Sequence, residues 1–162
     1  MSAPILIRDA TPEDVEAIRE IAHVTWRDTY STLLDADWIE AYLDKWYEPT
    51  LVRRHIEEAS EAGLGCFLIA ELEGKPCGYL HFELMEDRGP YLRRLYVLPE
   101  AQRSGAGSAL TAELHSRLGR EFTYELDVHP ENLKAVAFYR NLGAEFTGEK
   151  LEPCWELMRV RT

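Results

Sequence analysis

The chain has 162 residues, 46% of them hydrophobic and 29% charged, which is ordinary for a single globular domain with a substantial core. Its net charge of −11 argues against proteins that bind nucleic acids or anionic lipid surfaces, because those ligands attract basic surfaces. The acidic balance suits a cationic partner, and it suits solubility alone equally well. No apolar run approaches the roughly 20 residues of a membrane span. The N-terminus lacks the pattern of a signal peptide, so we expect one cytoplasmic domain over residues 1–162.

The cysteines and histidines give no sign of a metal site or of a disulfide framework. The three cysteines are widely spaced, and no Cys-x-x-Cys pair occurs. The five histidines also lack ligand spacing. We therefore expect no metal cofactor and a buried, structural role for Cys66.

Helices dominate the first part of the chain. Thr11 suits an N-cap, Pro12 suits the first turn, and Gly63 suits a helix end. Apolar residues recur at helical spacing between these signals. The predicted elements are a strand at 5–8 and three helices, which run from Thr11 to about Trp26, from Asp35 or Asp37 through Trp46, and from Pro49 to Gly63.

Strands and helices alternate in the second part. We predict strands at 65–72, 77–84, 91–97 and 122–128, helices at 104–119 and 132–142, and a final hairpin from strands 144–149 and 155–160. The order β-ααα-βββ-α-β-α-ββ predicts a mixed α/β fold of the α+β type. Its central sheet would be largely antiparallel, with one parallel step across the helix at 104–119.

A glycine-containing loop joins the strand at 91–97 to the helix at 104–119. It reads Gln102-x-x-Gly105-x-Gly107 and follows Pro99. Glycines at these points allow backbone N–H groups to converge on an anion, and the following helix directs its positive end to the same place. The pattern therefore predicts a pyrophosphate-binding loop, although a tight turn before a buried helix would use the same glycines.

A second motif, Asn132-x-x-Ala135-x-x-Phe138-Tyr139-x-x-x-Gly143-x-x-Phe146, follows the strand at 122–128. Together the two segments closely resemble the GCN5-related N-acetyltransferases (GNAT). The order and the spacing agree over most of the chain, from Ile5 to Val160, and the specific motifs lie within 92–146. The resemblance implies the GNAT fold, in which splayed strands hold acetyl-CoA and helices cover both faces of the sheet.

The resemblance also implies which residues bind acetyl-CoA. The pantetheine arm would pair with the backbone of Leu95 and Val97, and Asn132 would contact the same arm or act only as a helix N-cap. Gln102 would open the phosphate loop. The pyrophosphate would be held by Arg103, Ser104, Gly105, Ala106, Gly107 and Ser108.

Two catalytic roles follow from the resemblance. Tyr139 would protonate the departing CoA thiolate, and its spacing of seven residues from Asn132 places both on one helix face. Many relatives carry a glutamate base directly before Leu-x-x-Leu-Tyr-Val, but Tyr91 stands there in this chain. We take Glu83, on the neighbouring strand, as the candidate base. The alternatives left open are His81, Glu86, Asp87, Asp127 and bulk water.

The acceptor is predicted to be a primary amine that is acetylated by direct transfer. Trp26 and Tyr30 are predicted to bind it, because aromatic rings beside acidic residues suit an alkylammonium group. A polyamine or another small amine fits best; a protein N-terminus, a lysine, an amino acid or an aminoglycoside stays open. A non-catalytic acyl-CoA sensor and a generic nucleotide-binding protein are the alternatives from other classes. Relatives often dimerise through their last strands, which the apolar segment 155–160 permits.

Overall fold

The computed structural model describes residues 3–61 and 63–162, and it contains seven strands and five α-helices in those ranges. The strands are β1 (Ile5–Asp9), β2 (Cys66–Leu72), β3 (Lys75–Met85), β4 (Gly89–Val97), β5 (Thr123–Val128), β6 (Glu145–Leu151) and β7 (Trp155–Arg161). The helices are α1 (Val15–Tyr30), α2 (Ala36–Trp46), α3 (Pro49–Glu61), α4 (Ala106–Leu118) and α5 (Leu133–Asn141). Short 3₁₀ turns occur at Pro12–Asp14 and Pro99–Ala101.

All seven strands form one mixed sheet in the order β1-β2-β3-β4-β5-β7-β6. Neighbouring strands run antiparallel except β4 and β5, which are parallel. The predicted α/β class, the largely antiparallel sheet and its parallel step are therefore confirmed. β7 lies inside the sheet and β6 lies at its edge, so the segment 155–160 is an interior strand; the homodimer stays a prediction.

The sheet opens between β4 and β5. A single residue pair, Tyr91 with Glu125, joins these strands in the described part of the chain. On the other side of β4 the register to β3 slips by one residue, since His81 pairs with Arg94 and Phe82 pairs with Leu92. The extra residue, Arg93, is a β-bulge that bends β4. The bend and the sparse pairing leave a notch in the middle of the sheet.

Two hydrophobic clusters cover the two faces of the sheet. One consists mainly of aliphatic side chains from the sheet, α4 and α5, with Leu80, Leu110 and Leu114 fully buried. The other joins α1, α2 and α3 to the sheet and is rich in aromatic rings, including Trp26, Tyr47 and Tyr79. The predicted placement of helices on both faces is confirmed.

Three predicted helix boundaries were wrong: both ends of the first helix and the start of the fourth. Thr11 caps a 3₁₀ turn instead of α1: its N–H donates to Asp14 Oδ2 at 2.8 Å, and Arg8 holds the same carboxylate through two bonds of 2.8 Å. Helix α1 then begins at Val15 and continues to Tyr30 instead of ending near Trp26. Helix α4 begins at Ala106 and not at Ser104.

The late start of α4 has a local cause. The preceding Gly105 has φ +87°, in the left-handed region, where a right-handed helix cannot include it.

No helix in the described ranges is long and apolar enough to cross a membrane.

Candidate active site

A pocket of about 1170 Å³ occupies the notch and continues beneath α1 and α2. Its walls come from both faces of the molecule: β4, β5, α5 and the loop before α4 on one side, and α1 and α2 on the other. The two motifs that the sequence singled out, 92–110 and 132–146, both contribute to it. The fold therefore brings the predicted cofactor residues and the predicted acceptor residues to one cavity.

The predicted phosphate-binding loop lines this pocket through Gln102, Arg103, Gly105, Gly107 and Ser108. The Gln102 side chain donates to the Val97 carbonyl at 3.2 Å, so it folds the loop back onto the end of β4. The loop opens directly onto the first turn of α4, whose free N–H groups and dipole favour an anion.

Two predicted loop residues lie outside the pocket lining. Ser104 Oγ donates to the Ala101 carbonyl at 2.6 Å, and Ala106 is fully buried. Their side chains therefore stabilise the loop and its packing. The roles predicted for their backbone groups stay predictions.

The register of β4 explains how Leu95 and Val97 can serve the pocket. Leu98 N–H donates to the Cys77 carbonyl at 2.8 Å, which makes Cys77 and Leu98 a hydrogen-bonded antiparallel pair. Because such pairs alternate, the backbone groups of Leu95 and Val97 point away from β3 and towards the notch. Both residues line the pocket, as the prediction requires.

Helix α5 carries Asn132 and Tyr139 to the opposite wall of the notch. Asn132 is the N-cap, and its Oδ1 accepts from the Ala135 N–H at 3.4 Å. Tyr139 is 9% exposed, and burial raises the pKa of its phenol well above the ordinary value. A phenol with a raised pKa stays protonated at neutral pH, which is the state that a proton donor needs.

Glu83 is placed differently from Tyr139. One of its oxygens accepts from Arg93 Nη1 at 2.6 Å, and the other lies 3.5 Å from His81 Nε2. It is not among the residues that line the pocket within 3–61 and 63–162. The structure thus brings Tyr139, but not Glu83, to the cavity surface, and the predicted base stays without direct geometric support.

Another carboxylate does reach the cavity. Asp127, at the end of β5, accepts a hydrogen bond of 2.6 Å from the hydroxyl of Tyr91 on β4. Both residues line the pocket. Asp127 keeps exposed surface, and its bond to Tyr91 is partly buried. The protein packed around the carboxylate raises the pKa of Asp127 above its ordinary value.

Aromatic rings form the wall under α1 and α2. Tyr42 stacks between Trp26, at 4.2 Å between ring centroids, and Trp38, at 5.4 Å. The predicted acceptor residues Trp26 and Tyr30 are 1% and 4% exposed, so they form the back of this wall. Trp38, Tyr42 and Trp46 are only partly buried and present more surface to the cavity. The rings of α2 therefore join the two predicted residues in this wall.

A buried arginine also belongs to the wall. Arg94 is 5% exposed, and its Nη1 lies 3.0 Å from His55 Nδ1 and 3.5 Å from His81 Nδ1. Its Nη2 donates to the Trp46 carbonyl at 2.9 Å. Burial and the arginine charge lower the pKa of both histidines, that of His55 to about 4, so both are neutral near pH 7. The cluster ties α2 and α3 to β4.

The shape of the notch fits a nucleotide cofactor with a long, thin arm. It offers strand backbone at Leu95 and Val97, although the Val97 carbonyl already accepts from Gln102, and Arg103 and Lys134 line the same pocket as cations. A Cβ on Gly107 would lie 3.4 Å from the Phe138 ring, so the residue sits close against α5. Within the described ranges, no group of three or more His, Cys, Asp or Glu side chains could hold a metal ion.

Comparisons with known proteins agree with this arrangement. The model of the acetyltransferase (GNAT) family matches residues 16–144. The spermidine N(1)-acetyltransferase of Thermoplasma acidophilum is 26% identical over 142 residues, which are 86% of this chain and 87% of that protein. The uncharacterised N-acetyltransferase YuaI of Bacillus subtilis is 25% identical over 154 residues, 90% of this chain and 83% of that protein.

Solved structures share the fold. The crystal structure of PaiA N-acetyltransferase from Thermoplasma acidophilum in complex with coenzyme A superposes with a TM-score of 0.85 at 23% identity, covering 98% of this chain and 99% of that chain. A GCN5-related N-acetyltransferase from Rhodopseudomonas palustris gives a TM-score of 0.76 at 17% identity, with 100% and 98% coverage. The family match over most of the chain and the notch therefore lead to one conclusion: the chain belongs to the GNAT family and is an N-acetyltransferase that uses acetyl-CoA.

Proposed function

We propose that the enzyme acetylates a primary amine of a small, cationic acceptor, with polyamines as the first class to test. The observation that carries this proposal is the balance of charge in the pocket. Among the described residues, five cationic side chains line it. Arg88 and Arg93 are each neutralised by an ion pair of 2.6 Å, to Glu149 and Glu83, and Arg94 is buried against the Trp46 carbonyl. Arg103 and Lys134 belong to the two motifs that would hold the cofactor, whose phosphates they can meet. Four pocket-lining carboxylates have no ion pair among the described residues; these are Asp28, Asp127, Glu131 and Glu152.

The aromatic wall supports a cationic acceptor as well. The partly buried rings of Trp38, Tyr42 and Trp46 line the same cavity as the free carboxylates. Ring faces attract alkylammonium groups, and carboxylates at a distance can hold a second one. A chain of methylenes between two ammonium groups would match both features. The 26% identity to a spermidine N(1)-acetyltransferase is consistent with this class of acceptor.

The proposed mechanism assigns separate tasks to the two motifs. Acetyl-CoA supplies the thioester whose acetyl group passes to the amine. The backbone of Leu95 and Val97, the loop from Gln102 to Ser108, and Asn132 would hold it in the notch. Tyr139, which is protonated at neutral pH, donates a proton to the departing sulfur. Transfer is direct, with both substrates bound in one cavity.

The test is CoA thiol release from acetyl-CoA across a panel of acceptors: spermidine, spermine, diamines, amino acids, aminoglycosides and short peptides. We expect the polyamines to give the highest kcat/KM. Tyr139→Phe should lower kcat on the order of 100-fold while the Kd for acetyl-CoA stays the same. A preference for amino acids or peptides over polyamines would refute the proposed acceptor class, and unchanged turnover in Tyr139→Phe would refute the proposed acid.

A further inference from the structure

We infer that Asp127 is the base that takes the proton from the acceptor amine, and that Tyr91 positions its carboxylate. The inference rests on the proposed function, because it concerns the same acceptor. Asp127 takes the role that the sequence suggested for Glu83. Glu83 lies on β3, whereas Asp127 lies on β5, the strand on the other side of β4.

The geometry of the notch carries the inference. Tyr91 is the last residue of β4 that pairs with β5 before the two strands diverge. Its hydroxyl crosses the gap and donates to Asp127 Oδ1 at 2.6 Å, a short, charge-assisted bond that fixes the carboxylate. No side chain in the described ranges donates to Oδ2. That oxygen is therefore available to an ammonium group in the cavity.

Tyr91 stands directly before Leu92, where the resemblance to the family led us to expect a glutamate. A phenol cannot accept the proton of an ammonium group at neutral pH, but it can hold a carboxylate that does. In this chain the carboxylate lies on β5, and Tyr91 on β4 holds it by a hydrogen bond.

Glu83 is less suited to the same task. It lies opposite Tyr91 on β3, and one of its oxygens accepts from Arg93 at 2.6 Å, while the other lies 3.5 Å from the neutral His81 ring. Withdrawing it from Arg93 would leave that arginine unpaired beside the pocket. Asp127 instead takes part in no ion pair among the described residues and faces the cavity directly.

The surroundings of Asp127 favour proton uptake. Burial raises the pKa of its carboxyl, whereas the bond from Tyr91 and the charges of Arg93 and Arg88 lower it. The phenols of Tyr30, Tyr42 and Tyr139 also lie within its electrostatic range. A carboxylate with a raised pKa is a stronger base than one with the ordinary pKa.

Acetyl transfer requires two proton transfers from the acceptor nitrogen and one to the sulfur. The acceptor ammonium gives one proton to Asp127 Oδ2, and the freed nitrogen lone pair forms the C–N bond to the thioester carbonyl carbon. The C–S bond breaks, its electron pair goes to sulfur, and Tyr139 protonates the sulfur. The amide nitrogen loses its second proton, which restores the Tyr139 hydroxyl. Asp127 releases the first proton to solvent, so the reaction yields one amide, one thiol and one proton.

The first experiment compares Asp127→Asn with the wild type, using the best acceptor of the wild-type panel. We expect kcat at pH 7 to fall on the order of 100-fold. The kcat of the variant should then rise about tenfold per pH unit up to the pKa of the acceptor amine, because without the base only an amine that is already neutral can react. Asp127→Glu should recover part of the rate. Glu125→Gln removes a carboxylate on the same strand that pairs with Arg159 outside the pocket, and it serves as the matched control.

The second experiment tests Tyr91 first without turnover and then through the pH profile of kcat. Carboxyl ¹³C NMR of the cofactor-free protein should show the Asp127 pKa rising in Tyr91→Phe, because the bond that stabilises the charged form is lost. The acid limb of kcat should move to higher pH by the same amount. An Asp127→Asn variant with raised KM but unchanged kcat and pH profile would overturn the inference alone. If the wild type acetylates no amine, the proposed function fails, and this inference fails with it.

Discussion

The two faces of the sheet are built from different side chains and do different work. The cluster under α4 and α5 is mostly aliphatic, and Leu80, Leu110 and Leu114 in it are fully buried. The cluster under α1, α2 and α3 is aromatic and polar: it includes Trp26 and Tyr47, and it adjoins the buried Arg94 with its two histidines. Both clusters border the cavity: the aliphatic one through Leu92 and Tyr139, and the aromatic one through Trp26 and Tyr30.

The difference shows how one domain can separate stability from recognition. Branched aliphatic side chains fill space closely and leave no polar atoms to satisfy. Aromatic rings bury much surface and still present a face that attracts cations. We therefore expect substitutions on the aliphatic face to change mainly the free energy of unfolding, and substitutions on the aromatic face to change acceptor binding as well.

The largest expected effect is on the aliphatic face. Leu110→Ala should lower the free energy of unfolding by about 2–5 kcal/mol, because it leaves a cavity in a fully buried site. The kcat/KM of the folded fraction should not change. Urea unfolding and steady-state kinetics measure the two quantities. Leu84→Ala, at a position that is 50% exposed, is the matched control and should change stability by less than about 0.5 kcal/mol. Equal losses in both variants would contradict the comparison.

The next effect concerns pH and belongs to the aromatic face. The unfolded chain binds protons at His55 and His81 with an ordinary pKa near 6.5, but in the folded protein the pKa of His55 falls to about 4 and that of His81 also falls. The folded state thus binds fewer protons, and stability should decrease as pH falls from 6.5 towards 4. The slope should reach about 1.4 kcal/mol per pH unit for each histidine.

Urea unfolding at pH 7, 6 and 5 measures this slope. His55→Asn should reduce it, whereas Leu110→Ala should lower the whole curve without changing its slope. A wild-type stability that stays constant over this range would show that the histidines titrate normally in the folded protein.

A smaller effect is expected where the aliphatic face meets the cofactor end of the pocket. Gly105→Ala places a side chain at φ +87°, which costs about 1–2 kcal/mol and displaces the loop before α4. The KM for acetyl-CoA should rise several-fold. Gly148→Ala imposes the same strain at φ +90° on the edge strand β6, so it should reduce stability without changing that KM. A KM that rises equally in both variants would mean that general destabilisation is responsible.

The smallest expected effect tests whether the aromatic wall binds the acceptor. Trp38→Ala removes a partly buried ring from the cavity and should raise the KM for a polyamine about two- to fivefold, as expected for a partly exposed cation–π contact. Trp38→Phe keeps a ring face and should recover most of the affinity. The KM for acetyl-CoA should stay constant in both. A parallel rise in both KM values would indicate that α2 has moved as a whole.

The parts of the site that the sequence predicted are the local ones. The loop around Gly105 and Gly107 and the helix face with Asn132 and Tyr139 each lie in one short segment, so their motifs can be recognised in the sequence, and the resemblance to the family assigns them to the cofactor site. The resemblance to the family then assigns the backbone of Leu95 and Val97. Predicting these segments does not require knowledge of which strands are neighbours in the sheet.

The remaining parts depend on contacts between distant segments. The bond between Tyr91 and Asp127 spans 36 positions, and the bond between His55 and Arg94 spans 39. Both require the strand order and the bulge at Arg93, which turns Arg94 inward against the simple alternation of a strand. Two consecutive arginines inside an apolar strand were the signal in the sequence that the alternation breaks there.

The unequal burial of the aromatic wall affects how such an enzyme can diverge. Trp26 and Tyr30 on α1 are almost completely enclosed, and they pack against Trp155 as well as against each other. The rings of α2 pack against them and are themselves only partly buried. A descendant that changes its acceptor can therefore vary α2 with little loss of fold, whereas selection on α1 must preserve the rings that keep the domain together.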